Sequence, residues 1–253
     1  MARHVSIPAF LVLWETLSRS GAIRAVFFPP FSQVMATLAE LAVSGELWGH
    51  LSISLLRALS GFALAALAGL PLGFVLGGHS RSLFELLDLP MEILSQLNPF
   101  LLFHLVILVM GIGEAPKITM VAWTCLWPIA FGAMSGARGV NPELVRAGRA
   151  FGLSGVSILS RIRLPAAGRQ IFQGLRLALG QSLFMLVAAE MMGASRGLGF
   201  LVLDSQETFQ LRKMYAAVLA IAFLGLALDA LFGLLSRLLV PLPPGQSANT
   251  AGD

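Results

Sequence analysis

The chain has 253 residues, 57% of them hydrophobic and only 12% charged, against roughly 25% charged in a soluble domain, so an ordinary soluble protein is excluded. Its net charge of +4 comes from 17 Lys and Arg against 13 Asp and Glu, but the cations fall between apolar stretches, which fits a topology signal and not a nucleic-acid surface. Cys125 is the only cysteine and lies in the apolar run VAWTCLW, so no intrachain disulfide can form, and no metal-ligand spacing occurs.

The first segment, MARHVSIPAFLVLWETLSRSG, has a basic start and a short apolar run without a clear cleavage site. It is predicted as a short or tilted span, with a partial or interfacial placement as the alternative. Pro29 and Pro30 break the chain, and Val34, Leu38 and Leu41 then recur at helical spacing around Thr37 and Glu40, predicting a surface helix within 27–50. Spans are predicted at 54–78, 83–112, 117–136, 171–193 and 215–240, each near the roughly 20 apolar residues that cross a bilayer. A polar tail over 243–253 is predicted to be disordered.

Within 54–78, Gly61, Ala65, Gly69, Gly73 and Gly77 repeat every four residues, a stripe that lets a second helix approach closely, and Pro71 predicts a kink. The region 83–112 is the most polar, with Asp88, Glu92, Gln96, Asn98 and His104 interrupted by Pro90 and Pro99. Broken helices build transport sites from freed backbone groups and helix ends, so Gln96, Asn98 and His104 are candidates for a translocation path. The alternative is that Gln96 and Asn98 satisfy backbone groups freed by Pro99 and that His104 is a packed residue. Glu190 is expected to brace the outer loop, and Asp229 to pair with Arg57 or Arg176.

Between the spans at 117–136 and 171–193 lie Arg138, Arg146, Arg149, Arg161, Arg163 and Arg169, against one acid, Glu143. Basic loops stay in the cytoplasm. Six spans then put both termini inside, with Arg3, Arg81 and Arg237 on that side, while Lys117 and the loop SRGLGFLVLDSQETFQLRK face outward. The 138–170 loop is longer than a topology signal requires. Val156, Ile158, Leu159 and Ile162 lie near helical spacing, Gly152 punctuates it, and Leu164-Pro165 is read as its end. One or two short helices are expected, fitting either a partner's groove or lipid headgroups.

The run RAGRAFGLSGVSILSRIRLP resembles the cytoplasmic coupling-loop motif of permease subunits of binding-protein-dependent ABC importers. Ala147, Gly152, Leu164 and Pro165 match it, while Arg146 stands at the motif's glutamate and Gly148 at its second alanine. GELWGHLSISLLRALSGFALAALAGLPLGFVLG, GIGEAPKI, GLRLALGQSLFMLVAAEMMGASRGLGFLV and GLALDALF are similar to the branch that imports nitrate, sulfonates, taurine and related small solutes. Phe103, His104 and Arg169 depart from that branch's usual residues.

The resemblance implies an all-α integral membrane protein with about six transmembrane helices of the type I importer kind. Its parts would be an N-terminal segment at 1–50, a permease domain at 51–242 carrying the coupling loop, and the tail. The implied setting is the bacterial inner membrane. The implied partners are cytoplasmic ABC ATPase subunits, an extracytoplasmic solute-binding protein, a second permease copy and membrane lipid. Arg146, Ala147, Gly148, Gly152, Leu164 and Pro165 would couple to the ATPase. A phosphate-binding loop needs a lysine preceded by glycine, and neither Lys117 nor Lys213 is, so the chain is expected to be no enzyme, with no cofactor of its own and ATP-Mg held by the partner. An ion-coupled secondary transporter and a non-transporting membrane anchor are the alternatives.

Overall fold

The computed structural model describes residues 2–21, 26–78 and 81–239, and every regular element among them is helical. The tail at 243–253 lies outside the described residues. In chain order the helices are α1 (Ala2–Arg19), α2 (Phe31–Val43), α3 (Glu46–Gly78), α4 (Arg81–Ser95), α5 (Pro99–Met110) and α6 (Glu114–Arg138). They continue with α7 (Pro142–Ala150), α8 (Gly155–Ile158), a π-helical turn at Leu159–Arg163, α9 (Leu164–Gly193), α10 (Leu198–Glu207) and α11 (Leu211–Leu239).

Among the described residues four helical stretches are long and apolar enough to cross a membrane: α3, α6, α8 with α9, and α11. The pair α4 and α5 meets at 87° and makes a fifth if counted as one broken span. The six spans expected are therefore four or five by this measure. The segment that falls short is α1, whose 18 residues carry Arg3, Glu15 and Arg19. It is fastened instead by aromatic packing: Trp14 stacks on Phe28 at 5.6 Å and donates its indole N–H to Pro29 O at 3.1 Å.

The bundle is built around α6, which packs α3 on one side and α9 on the other. Lipid tails are as apolar as leucine, so helices in a membrane are joined by close packing rather than by hydrophobic expulsion. The stripe on α3 supplies that closeness. A Cβ at Gly61 would sit 2.6 Å from the Val121 side chain, one at Gly73 2.3 Å from Ala130 O, and one at Gly77 2.6 Å from Met134 O. Ala65 is 1% exposed in the same seam. On the other side of α6, Gly132 lies against Gly174, and Gly136 against Ala167. Pro71 and Pro128 lie inside continuing helices.

Three boundaries differ from the sequence reading. Lys117, placed in an outer loop by its charge, belongs to the first turn of α6, is 3% exposed and bonds Glu114 at 3.2 Å. Leu164-Pro165 begins α9 instead of ending the loop helices, because a proline in the first turn sacrifices an N–H that has no helical partner there. The outer loop contains α10, whose Leu198, Leu201 and Val202 are buried between α9 and α11; its polar flanks, SRG and DSQET, made the apolar centre read as loop.

Gly73→Leu should therefore drive α3 and α6 apart and lower stability by about 1–3 kcal/mol, the usual cost of overpacking. Thermal denaturation in detergent checks this. Gly49→Ala, at a position with nothing within 4 Å of an added Cβ, should leave the midpoint unchanged.

Candidate functional site

Three features of the bundle carry polar chemistry. The first closes the end of the bundle that holds the α9–α10 turn. Arg57 on α3, 4% exposed, donates to the carboxylate of Glu190 on α9 at 2.7 Å, to the carbonyl of Arg196 at 2.7 Å and to both oxygens of Glu114 on α6. Glu190 is fully buried and also accepts from the Gly199 N–H at 2.9 Å, with the Ser54 hydroxyl 2.8 and 2.9 Å from its two oxygens. Ser54 in turn accepts from the Leu198 N–H, and His50 Nδ1 from the Gly197 N–H. Gly197 has φ +132°, and a Cβ there would lie 2.3 Å from the Glu190 carboxylate, so the turn requires glycine twice over. Each buried charge is answered by a charge or a backbone donor, the condition under which a buried pair is tolerated. The network ties α3, α6 and α9 to the start of α10.

At the opposite end, residues 142–163 fold as a compact knob. Asn141 caps α7 by accepting from the Glu143 N–H, and Ser154 caps α8. Val140, Val145 and Ile158 form a small core with Leu153 and Ile162. Gly148 is buried under Ile162: a Cβ there would meet the Ile162 Cδ1 at 2.6 Å, a contact that a turn of the Ile162 side chain would relieve. Gly152 has φ +75° and open space around it, so its role is to reverse the chain after α7. Phe151 and Val156 project from the knob at 86% and 78% exposure. Arg146 and Ala147 are exposed on α7, and Leu164 and Pro165 are exposed at the root of α9. Arg138, Arg146, Arg149 and Arg163 line one cleft beside the knob, where the Arg163 guanidinium donates to Gly78 O at 3.2 Å and the Arg138 guanidinium lies 3.3 Å from the Phe84 ring centre.

The third feature lies along α9 between these ends. A cavity of about 660 Å³ is walled by the α4–α5 bend, α6 and α9, with Thr124, Trp127, Gln173 and Gln181 in its lining. A second cavity of similar volume borders the other side of α9, where Arg176 and Asp229 form a two-pronged ion pair at 2.7 Å. Phe184 borders both cavities and meets Phe100 edge to face at 5.9 Å.

The sequence compares directly with known proteins. The model of a family described as binding-protein-dependent transport system inner membrane component matches residues 69–241. The chain belongs to this family. It is 32% identical to the taurine transport system permease protein of Escherichia coli (strain K12), over 93% of this chain and 87% of that protein. It is 34% identical to a permease protein of Bacillus subtilis (strain 168) named for aliphatic sulfonates transport, over 92% and 85%. In fold it resembles a solved inward-facing structure of the MetNI methionine ABC transporter, with a TM-score of 0.66 at 16% identity, covering 74% of this chain and 92% of that one. It is thus a multi-pass permease of the inner membrane, a transport component and not an enzyme.

Within this permease the sequence-selected residues separate. Arg146, Ala147, Gly148, Gly152, Leu164 and Pro165 all fall on the knob or its root. Asn98 caps α5, accepting from the Phe100 N–H at 2.9 Å, and His104 Nδ1 lies 2.9 Å from Phe100 O one turn back. At the bend Ser95, Leu97 and Pro99 border the large cavity, alternating with the exposed Gln96 and Asn98. Glu190 sits in the network at the outer-loop end, and Asp229 pairs with Arg176. Sequence reasoning passed over Gln170, Gln173 and Gln181, whose spacing on one face of an apolar helix was the available signal.

Arg57→Met should leave the Glu190 charge buried without its cation and cost about 3–5 kcal/mol. The double variant Arg57→Met/Glu190→Gln should recover part of that loss, measured as denaturation midpoints in detergent.

Proposed function

We propose that this chain is the membrane-spanning half-site of an ATP-driven importer for small sulfonates, taurine-like solutes included. It works as a homodimer on two cytoplasmic ABC ATPase subunits and receives its solute from an extracytoplasmic binding protein. The solute class rests on the two named relatives, each similar over nearly the whole chain. ATP and Mg belong to the partner in this reading, and the permease supplies motion only.

The observation that carries the reading is the knob at 142–163. Its exposed Phe151 and Val156 suit a hydrophobic cleft on another protein, and its core and the π turn run without a break into α9. A displacement applied to Phe151 therefore reaches α9 as movement of one body, and α9 borders both cavities. Closure of an ATPase dimer would swing the knobs together and reorient α9, alternating access between the two faces. Arg146, at the position of the family's glutamate, donates hydrogen bonds and accepts none, so an acidic group on the ATPase is the matching contact.

Orientation follows from charge. The knob with its arginines faces the cytoplasm and the Arg57 network faces outward, which puts the end of α11 inside; the N-terminus is inside as well if α1 crosses.

Co-purification with the ATPase in mild detergent tests this. Phe151→Ala, which removes an exposed ring, should sharply reduce recovery of the ATPase and abolish uptake while leaving the denaturation midpoint unchanged. Gly152→Val should also reduce ATPase recovery and uptake, here through its backbone and with a small drop in the midpoint, since a β-branched residue is strained at φ +75° by about 1–2 kcal/mol. Full ATPase recovery and uptake in both variants would sink the coupling assignment.

A further inference from the structure

The large cavity has a lining that neither the fold nor the coupling knob explains. Gln170, Gln173 and Gln181 line it from one face of α9, with Gly174 and Leu177 between them. They span 11 residues, about 16 Å of helix at 1.5 Å per residue, and Thr124 and Ser135 face them from α6. Polar side chains inside a span are costly against lipid and mark water-filled paths by default. Among the described residues the lining of this cavity contains no Asp, Glu, Lys or Arg.

Two atoms in this wall give the lane a chemical direction. Trp127 Nε1 and Gln170 Oε1 are buried with no hydrogen-bond partner among the described residues, and Trp127 is 8% exposed. Nearly all buried polar groups in native proteins are partnered, so two orphans in one cavity wall need an account. Both are covered in this conformation; the Trp127 ring packs among Phe84, Leu87 and Met91 of α4 and Leu72 and Leu76 of α3. An indole N–H can only donate, so what satisfies Trp127 must accept. Trp123 holds the Trp127 ring edge to face at 5.1 Å.

We propose that this cavity is a station for the solute within the permease, where a small sulfonate is held by neutral donors: the Trp127 N–H, uncovered as α4 draws away from α6, and the amides of Gln173 and Gln181. The proposal rests on the sulfonate reading above and adds the residues and the mode of contact. Neutral donors suit a station on a path, because binding there must be favourable enough to admit the solute and weak enough to release it. An arginine in the same place would trap an anion. Gln170, about 16 Å along the helix from Gln181, accepts from the ammonium of a taurine-like solute at the other end of the lane, and its orphan carbonyl is answered there.

The test uses the assembled complex of permease, ATPase and binding protein in proteoliposomes, with labelled taurine uptake and phosphate release measured together. Trp127→Phe removes the N–H and keeps an aromatic ring. It should lower taurine imported per ATP hydrolysed about tenfold while binding-protein-stimulated hydrolysis stays at the wild-type rate. Gln173→Leu, at an exposed position where folding is not at stake, should act in the same direction. Unchanged import per ATP in both variants would overturn the station while leaving the importer reading intact. A wild-type complex that imports neither taurine nor an alkanesulfonate would overturn the sulfonate reading, and the station with it.

Discussion

The close approach of α3 and α9 to α6 is the constraint on which the rest of this permease depends. Water does not press helices together inside a bilayer, so association must come from van der Waals contact at short range and from a few polar ties. Here glycine and alanine on three helices remove the side chains that would hold the backbones apart. Everything functional is arranged about that core: the ionic network at one end, the knob at the other, the polar cavity along its flank.

The two ends differ in mechanical character. At the Arg57 end, α3 and the start of α10 donate to the Glu190 carboxylate of α9, and Arg57 also holds Glu114 of α6, so movement there costs buried ionic contacts. At the knob, five aliphatic side chains make a small core of their own beside the root of α9. In the proposed coupling, motion delivered to the knob would be resisted at the far end and expressed between, where glycines form the contacts of α6 and α9. The bent α4–α5 pair adds a further wall that is not continuous through the membrane.

Much of this was legible in the sequence, and the reasons are specific. The Gly61 to Gly77 stripe announces a helix seam because only packing explains a glycine or alanine every four residues in an apolar run. Pro99 after Asn98 announces a break and its cap. The arginines and Gly152 alone fit a topology signal, a partner's groove or lipid headgroups, and the coupling-loop reading came from the resemblance at Ala147, Gly152, Leu164 and Pro165. What was hidden depended on tertiary pairing. Lys117 looks like a loop residue until Glu114 and the helix around it are seen, and the polar flanks of α10 masked a buried face. The glutamines of α9 were overshadowed by the more conspicuous polar run at 83–112. In the folded chain that run spends part of its polarity on its own backbone, while α9 turns its amides toward a cavity.

The Arg57 network also sets an order of events during synthesis. Arg57 enters the membrane on α3 when Glu190, 133 positions later, has not yet been made. Glu114, 57 positions on, is the first carboxylate partner to arrive, and its exposed placement beside the bundle end lets it reach the guanidinium as soon as α6 inserts. Of the two carboxylates that answer Arg57, the α6 one is therefore available first and the α9 one second. Glu190 on α9 also accepts from the Gly199 N–H, so the α9–α10 turn can be fastened only once the last of these carboxylates has been translated.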